Sequence, residues 1–326
     1  MEKIIIIGGA GYVGCELTQL LLNTGYEVTV FDLMIYGEDK LPTHSNLTKI
    51  KGDVRDIENL KNIIPGHNTL IHLACISNDP SFELNPNLGK SINYDSFLPI
   101  VNLSKKSKIK KFIYASSSSV YGVKDENNVT EDLSLEPLTD YSKFKAMCEK
   151  ILLENQSSDF ITTILRPATV CGYSSRQRLD VIVNIFTNLA FNKNLISVFG
   201  GDQLRPNIHI KDMTRAYLHL LQQPNNKIDG KIFNAGYENK SVIEIASLVK
   251  NSLNSNVELK IEKSNDNRSY HVSSEKIKNE LGFVSKFTIE DAVLDLINAF
   301  RENKFIDPLN NSIYYNIKKM QSINLK

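Results

Sequence analysis

The chain has no excess of either charge, no paired cysteines and no long apolar run, and each lack removes a class of function. Its 38 basic and 37 acidic side chains nearly cancel over 326 residues, so no overall field favours nucleic acid or an anionic membrane surface. The basic cluster Lys105, Lys106, Lys108, Lys110 and Lys111 reads as solvation of a helix end and loop. Cys15, Cys75, Cys148 and Cys171 stand apart, without the CxxC spacing of a zinc site or a disulfide framework. No metal is expected, and a reducing cytoplasm fits. The apolar run near the start is the isoleucines 4–7, ended by Gly8 and Gly9. That is too short for a signal-peptide core or a membrane span, so a soluble protein is expected. Neither an internal repeat nor a coiled coil is visible.

What is present begins with a regular alternation. Residues 3–7 read as a β-branched strand covered on both faces. Gly8, Gly11 and Gly14 follow, spaced GxxGxxG, and then Val13, Leu17, Leu20 and Leu21 at helical spacing. Glycines let main-chain amides approach a pyrophosphate, and a helix start adds unpaired N–H groups and positive dipole. A second strand, 27–31, ends at Asp32, placed to accept hydrogen bonds from adenosine ribose hydroxyls. No arginine follows, and the carboxylate repels a ribose 2'-phosphate, so NAD is expected rather than NADP. Further strands are predicted at 46–51, 69–73, 112–115 and 160–165, the last ending at Arg166 and Pro167. Asp53, in the turn after 46–51, is placed to meet an adenine amino group. Residues 86–106 read as largely helical, with Asn93 near the middle. His72, at the end of a buried strand, reads as a core residue with no catalytic role. Six alternations of strand and helix imply right-handed crossovers and a doubly wound parallel sheet.

The carboxyl end of the fifth strand runs into Ser116, Ser117, Ser118 and Ser119. Ligands bind at such strand ends in open parallel sheets, so these hydroxyls are expected to face a cleft. Tyr141 and Lys145, in YSKFK, share one face of a predicted helix whose stripe is Phe144, Cys148, Ile151 and Leu152, with cap candidates at 138–140. An ammonium beside a phenol favours phenolate and brings a group of reference pKa about 10 towards use as a base. Beyond Gly172 the pattern loosens. Helices are predicted at 212–221, 241–253, 274–281 and 288–302, with strands at 231–234 and 257–261. Arg176, Arg178, Arg205, Lys263 and Arg268 are candidate ligands for a second phosphate-bearing molecule. The asparagine- and lysine-rich stretch from about Asp307 is expected to be peripheral.

GGAGYVG, Asp32, DVRD, HLAC, SSSSVYG, YSKFK and RPATVCG stand in this order, followed by GGDQLRPNIHIKD at 200–212 and DNRSY at 266–270. Over essentially its whole length the chain thereby resembles the extended short-chain dehydrogenase/reductases that act on nucleotide sugars. The resemblance implies a Rossmann domain, 1–172 with 208–240, and a smaller mixed α/β substrate-binding domain, 173–207 with 241–326. It implies that Gly8, Gly11, Tyr12, Val13 and Gly14 cradle the NAD pyrophosphate, with Asp32 on ribose and Asp53 and Val54 beside adenine. Leu73, Ala74, Asn93, Ala115 and Pro167 would line the cofactor. Tyr141 would be the base, Lys145 would hold the nicotinamide ribose, and Ser117 would bond the reacting sugar oxygen. Ser118, Ser119, Thr169, Arg178, Arg205 and Arg268 would contact the nucleotide diphosphate sugar, the last two arginines clamping its diphosphate.

Dehydratases of this family carry Asp-Glu directly after the residue equivalent to Ser117, where this chain has Ser118 and Ser119. The expected reaction is therefore 4-epimerisation through a transient 4-keto sugar. Ser77, Thr169 and Lys263 depart from the UDP-hexose 4-epimerase pattern. RPATVCGYSSRQRLDVIVN and DNRSYHVS are similar to a surface-polysaccharide subgroup that includes a GDP-heptose 4-dehydrogenase. A nucleotide-sugar 4-dehydrogenase or 4-keto reductase is thus the alternative. The resemblance also implies a homodimer through the helices at 90–106 and 141–155.

Overall fold

The computed structural model describes residues 2–124, 126, 128–253, 256–263, 269 and 271–326. Twelve strands occur among them: β1 (Lys3–Ile7), β2 (Glu27–Asp32), β3 (Leu47–Lys51), β4 (Thr69–His72), β5 (Lys111–Ala115), β6 (Ile161–Pro167), β7 (Thr169–Cys171), β8 (Leu195–Phe199), β9 (Leu204–His209), β10 (Lys231–Ala235), β11 (Glu238–Ser241) and β12 (Glu258–Glu262). Seven of these form a parallel sheet in the order β10-β6-β5-β4-β1-β2-β3. The four isoleucines of β1 have no exposed surface, because helices cover both faces of the sheet at its centre. The chain winds outward from β1 to β3 and then returns to β4 on the other side of β1. That reversal puts a crevice at the carboxyl ends of β1 and β4, where Ile7 is level with both Phe31 and His72.

The second lobe is built on different pairings. β7 and β9 run parallel, β11 joins β9 antiparallel, and β8 pairs with β12. Helices Ile182–Lys193, Val242–Ser252 and Ile289–Arg301 close a separate apolar cluster over β8. Helix Ile210–Gln222 packs instead on helix Tyr12–Asn23, beside the large sheet.

The stretch 86–106 is largely helical, as expected: Pro86–Lys90 opens it behind an Asn85 cap, Ser91–Asp95 forms a wider π turn, and Phe97–Lys106 resumes. One expectation changes. The stretch after Asp307 is not peripheral. Asn316 and Met320 lie four residues apart on helix Asn316–Ser322, and that shared face is buried against the crevice. No helix among the described residues is long and apolar enough to cross a membrane.

Candidate active site

A cavity of ≈370 Å³ opens along the crevice, from the glycine turn after β1 to the serines after β5. Its floor is main chain. Gly8 has φ +86°, and a Cβ there would stand 2.4 Å from the Ala74 nitrogen, so the turn and the end of β4 touch backbone to backbone. At Gly11 a Cβ would meet only the Gly8 carbonyl at 3.5 Å, leaving that side open to a ligand. Gly11 caps helix Tyr12–Asn23 without a side-chain hydrogen bond, and the first turn carries no acid. Its leading N–H groups are thus available to an anion.

Asp32 is the carboxylate at this end of the cavity. Its Oδ2 accepts from the Ala10 N–H at 3.0 Å and its Oδ1 from the Met34 N–H at 2.7 Å. Burial raises its pKa against those two bonds and the nearby Arg176 guanidinium. Val54, Leu73, Ala74, Ala115 and Pro167 complete the walls, with Tyr12, Val13 and Gly14. A glycine turn, an uncapped helix start and a carboxylate on the neighbouring strand form a donor and acceptor set that fits a dinucleotide.

Two residues expected in this wall lie elsewhere. Asp53 is taken by Arg55, whose Nε and Nη2 reach it at 3.0 and 2.6 Å, and it does not line the cavity. Asn93 is buried behind the wall. Its Oδ1 accepts from the Ile76 N–H at 2.8 Å and its Nδ2 donates to the Ile76 carbonyl at 3.0 Å, which fixes the loop after β4.

The other end carries Tyr141, Lys145 and Ser117. Thr139 caps helix Asp140–Glu154 in a reciprocal pair with Ser142, and its hydroxyl also bonds Asp79. This fixes Tyr141 and Lys145 one turn apart, both buried and both facing the cavity. Ser117 begins the turn Ser118–Tyr121, accepts from the Ser119 N–H at 3.2 Å and shares a hydrogen bond with the Ser119 hydroxyl at 2.9 Å. Ser118, Ser119 and Thr169 line the same space.

One expectation is corrected here. The Tyr141 pKa is raised well above its ordinary value, by burial first and then by Cys75 and Asp79; Arg178 and Ser117 oppose this. The Lys145 ammonium is engaged otherwise: it donates to the Ala115 carbonyl at 2.6 Å and lies 4.9 Å from the centre of the Tyr114 ring, against 5.9 Å for Tyr141.

Behind the serines lies a buried polar chain. Ser116 donates to Glu149, and Arg166 holds the same carboxylate through Nε at 3.0 Å and Nη2 at 2.7 Å. Arg166 Nη1 donates to the Tyr121 hydroxyl at 2.8 Å, which donates to Asn234 at 2.7 Å. His72, boxed by Phe97, Phe112 and Tyr114, has its pKa pushed down to about 3 by burial and by Lys145, so it is a neutral core group.

Arg178 reaches into the cavity from the loop after β7. Its Nε pairs with Asp180 at 2.6 Å, its Nη1 donates to Ser77 at 3.3 Å, and its Nη2 has no partner among the described residues. Arg176 stacks on Tyr36, 3.5 Å from the ring centre. Arg205 is half-buried on β9 and outside the cavity wall, Lys263 is exposed, and Arg268 lies outside the described residues. Ser77, Asp79, Tyr36, Asn316 and Met320 also line the cavity. Tyr36, Ser77 and Asp79 follow the ends of β2 and β4, whereas Asn316 and Met320 reach the site by long-range folding and sequence spacing gives no sign of them.

The family model for the NAD dependent epimerase/dehydratase family matches residues 4–236. The chain is 25% identical over 269 residues to a UDP-glucose 4-epimerase of Lactobacillus helveticus, covering 76% of this chain and 81% of that one. It is 21% identical over 325 residues to a dTDP-glucose 4,6-dehydratase of Streptomyces niveus, covering 93% and 94%. The fold superposes on the UDP-glucose 4-epimerase of Thermotoga maritima, solved with UDP-glucose, with a TM-score of 0.85 at 23% identity over 93% of this chain and 100% of that one.

Proposed function

The chain belongs to the NAD dependent epimerase/dehydratase family, as an NAD-dependent enzyme of the extended short-chain dehydrogenase/reductase type, and from that premise we propose that it is a nucleotide-sugar 4-epimerase. One observation carries the reading: Tyr141 and Ser117 line the same cavity as the glycine turn and Asp32. The turn 8–14 and Asp32 would hold the dinucleotide, and Lys145 its nicotinamide ribose. NAD, when bound, supplies a reversible hydride acceptor. Ser117 orients the sugar O4, and Tyr141 takes the O4 proton and later returns it. Ser118 and Ser119 supply small hydroxyls where elimination of water would need an acid and a base, which leaves the keto sugar room to turn. Thr169 and Arg178 would contact the sugar nucleotide, with Arg268 on its diphosphate and Arg205, outside the cavity wall, reaching that diphosphate only where it extends beyond the cavity. The lobe 1–172 with 208–240 would carry the dinucleotide, and 173–207 with 241–326 the substrate.

The likeness of RPATVCGYSSRQRLDVIVN and DNRSYHVS to the surface-polysaccharide subgroup favours a second reading on the same residues, a nucleotide-sugar 4-dehydrogenase or 4-keto reductase. The two differ in where the hydride ends. Purified protein incubated with UDP-, GDP-, CDP- and dTDP-sugars, with NADH absorbance followed and C4 products identified by NMR, separates them. A product epimer without net NADH supports the epimerase; accumulating NADH, or a required keto acceptor, supports the alternative. Tyr141→Phe should lose about 10²–10⁴-fold in turnover while still binding NADH. Undiminished turnover would remove Tyr141 from the mechanism. A cytoplasmic location is part of the proposal.

A further inference from the structure

We propose that the C-terminal segment 316–325 is a wall of the cofactor pocket and sets how slowly the dinucleotide leaves it. The inference rests on the assignment of this cavity to the dinucleotide. Asn316, Met320 and Leu325 all line the cavity that holds Gly8, Asp32 and Val54. They lie beyond residue 236, where the family match ends.

Asn316 is 4% exposed and bonds at four points. Its Oδ1 accepts from Arg176 Nη2 at 2.7 Å and from the Tyr36 hydroxyl at 2.9 Å. Its Nδ2 donates to Ser77 Oγ at 2.9 Å, and its main-chain N–H donates to Asp180 Oδ2 at 2.8 Å. Two donors on the oxygen and a hydroxyl on the nitrogen fix the amide's orientation. Tyr36 and Ser77 follow β2 and β4 of the large sheet, whereas Arg176 and Asp180 belong to the loop after β7, so one side chain stitches the two rims of the crevice together. Two of its partners are charged, which strengthens those bonds.

Further along, Met320 is buried in the apolar cluster that contains Val54, Ile76 and Ile92, and Leu325 packs on that cluster. A main-chain oxygen of Lys326 accepts from Arg55 Nη2 at 2.8 Å, which ties the segment to the turn after β3. Met320 and Leu325, with Val54, therefore give the Asp32 end of the cavity an apolar wall suited to a flat base. A dinucleotide behind this wall leaves only after the Asn316 contacts open.

The test is release of NADH. Protein loaded with NADH is mixed with excess NAD and the fluorescence decay is followed for the native chain, for a chain ending at Tyr315 and for Asn316→Ala. Release should accelerate about tenfold or more in the shortened chain and several-fold in Asn316→Ala, with association little changed. Should the shortened chain fail to fold, Asn316→Ala and Met320→Ala, checked by circular dichroism, decide the matter. Release rates equal to native in folded variants overturn the proposal. Faster association at an unchanged release rate also overturns it, because the segment would then be a barrier to entry. A native chain that takes up no NADH overturns the assignment of the cavity itself, a result separable from the other two.

Discussion

Tyr141 is 9% exposed, and burial together with Cys75 and Asp79 keeps its phenol protonated, while Arg178 and Ser117 pull the other way. The spacing YxxxK correctly reads as two side chains on one helical face. It does not tell where the ammonium goes, which depends on the Ala115 carbonyl thirty residues upstream. A testable consequence attaches to Arg178. A base with a raised pKa gains its active form as pH rises, so kcat/KM climbs from the acid side. Arg178→Gln removes a cation that lowers that pKa, so kcat/KM, still climbing at about pH 10, should be lower at every pH of the rising limb with its slope unchanged. A limb that stays in place would show that Arg178 does not act on Tyr141. Asp32 was legible because its position after a strand has a geometric meaning; Arg176 beside it was not, since it arrives from 144 positions away.

Helix Asp140–Glu154 could be read from its apolar stripe and its cap, and the cap is Thr139. Helix Ile182–Lys193 could not, because Asn184, Thr187 and Asn188 occupy its buried face and interrupt the period. Those polar groups have uses: Asn184 donates to the Tyr12 hydroxyl at 3.0 Å and to the Arg178 carbonyl at 2.7 Å, joining the glycine-turn helix to the second lobe. The same logic governs the helix that bears Tyr141. Glu149, two turns beyond it, meets Arg166 of β6 with both side chains almost fully buried. Arg166→Ala leaves a buried carboxylate unpaired, and urea unfolding should show a loss of about 3–5 kcal/mol. A loss within 1 kcal/mol would mean that water or another cation replaces the guanidinium.

For the molecule as a whole, the doubly wound sheet was legible from alternating short strands and helices, and the second lobe much less so. Its strands are short, several are half exposed, and they pair across long stretches of chain. Assembly belongs to this scale. Leu98 and Met147, each 42% exposed, sit on helices Phe97–Lys106 and Asp140–Glu154, which pack side by side. We propose that this face pairs with a second copy. The native chain should then sediment as a dimer, and Leu98→Glu with Met147→Glu should sediment as a monomer; a monomeric native chain would contradict the proposal. The contact of Gly8 with Ala74 reaches further than the cofactor. Where backbone meets backbone without a Cβ between them, substitution has almost no freedom. The opposite end is made of side chains, Ser77, Thr169 and Arg178, carried on three separate segments. A cavity so built is fixed at its backbone end and adaptable at its side-chain end.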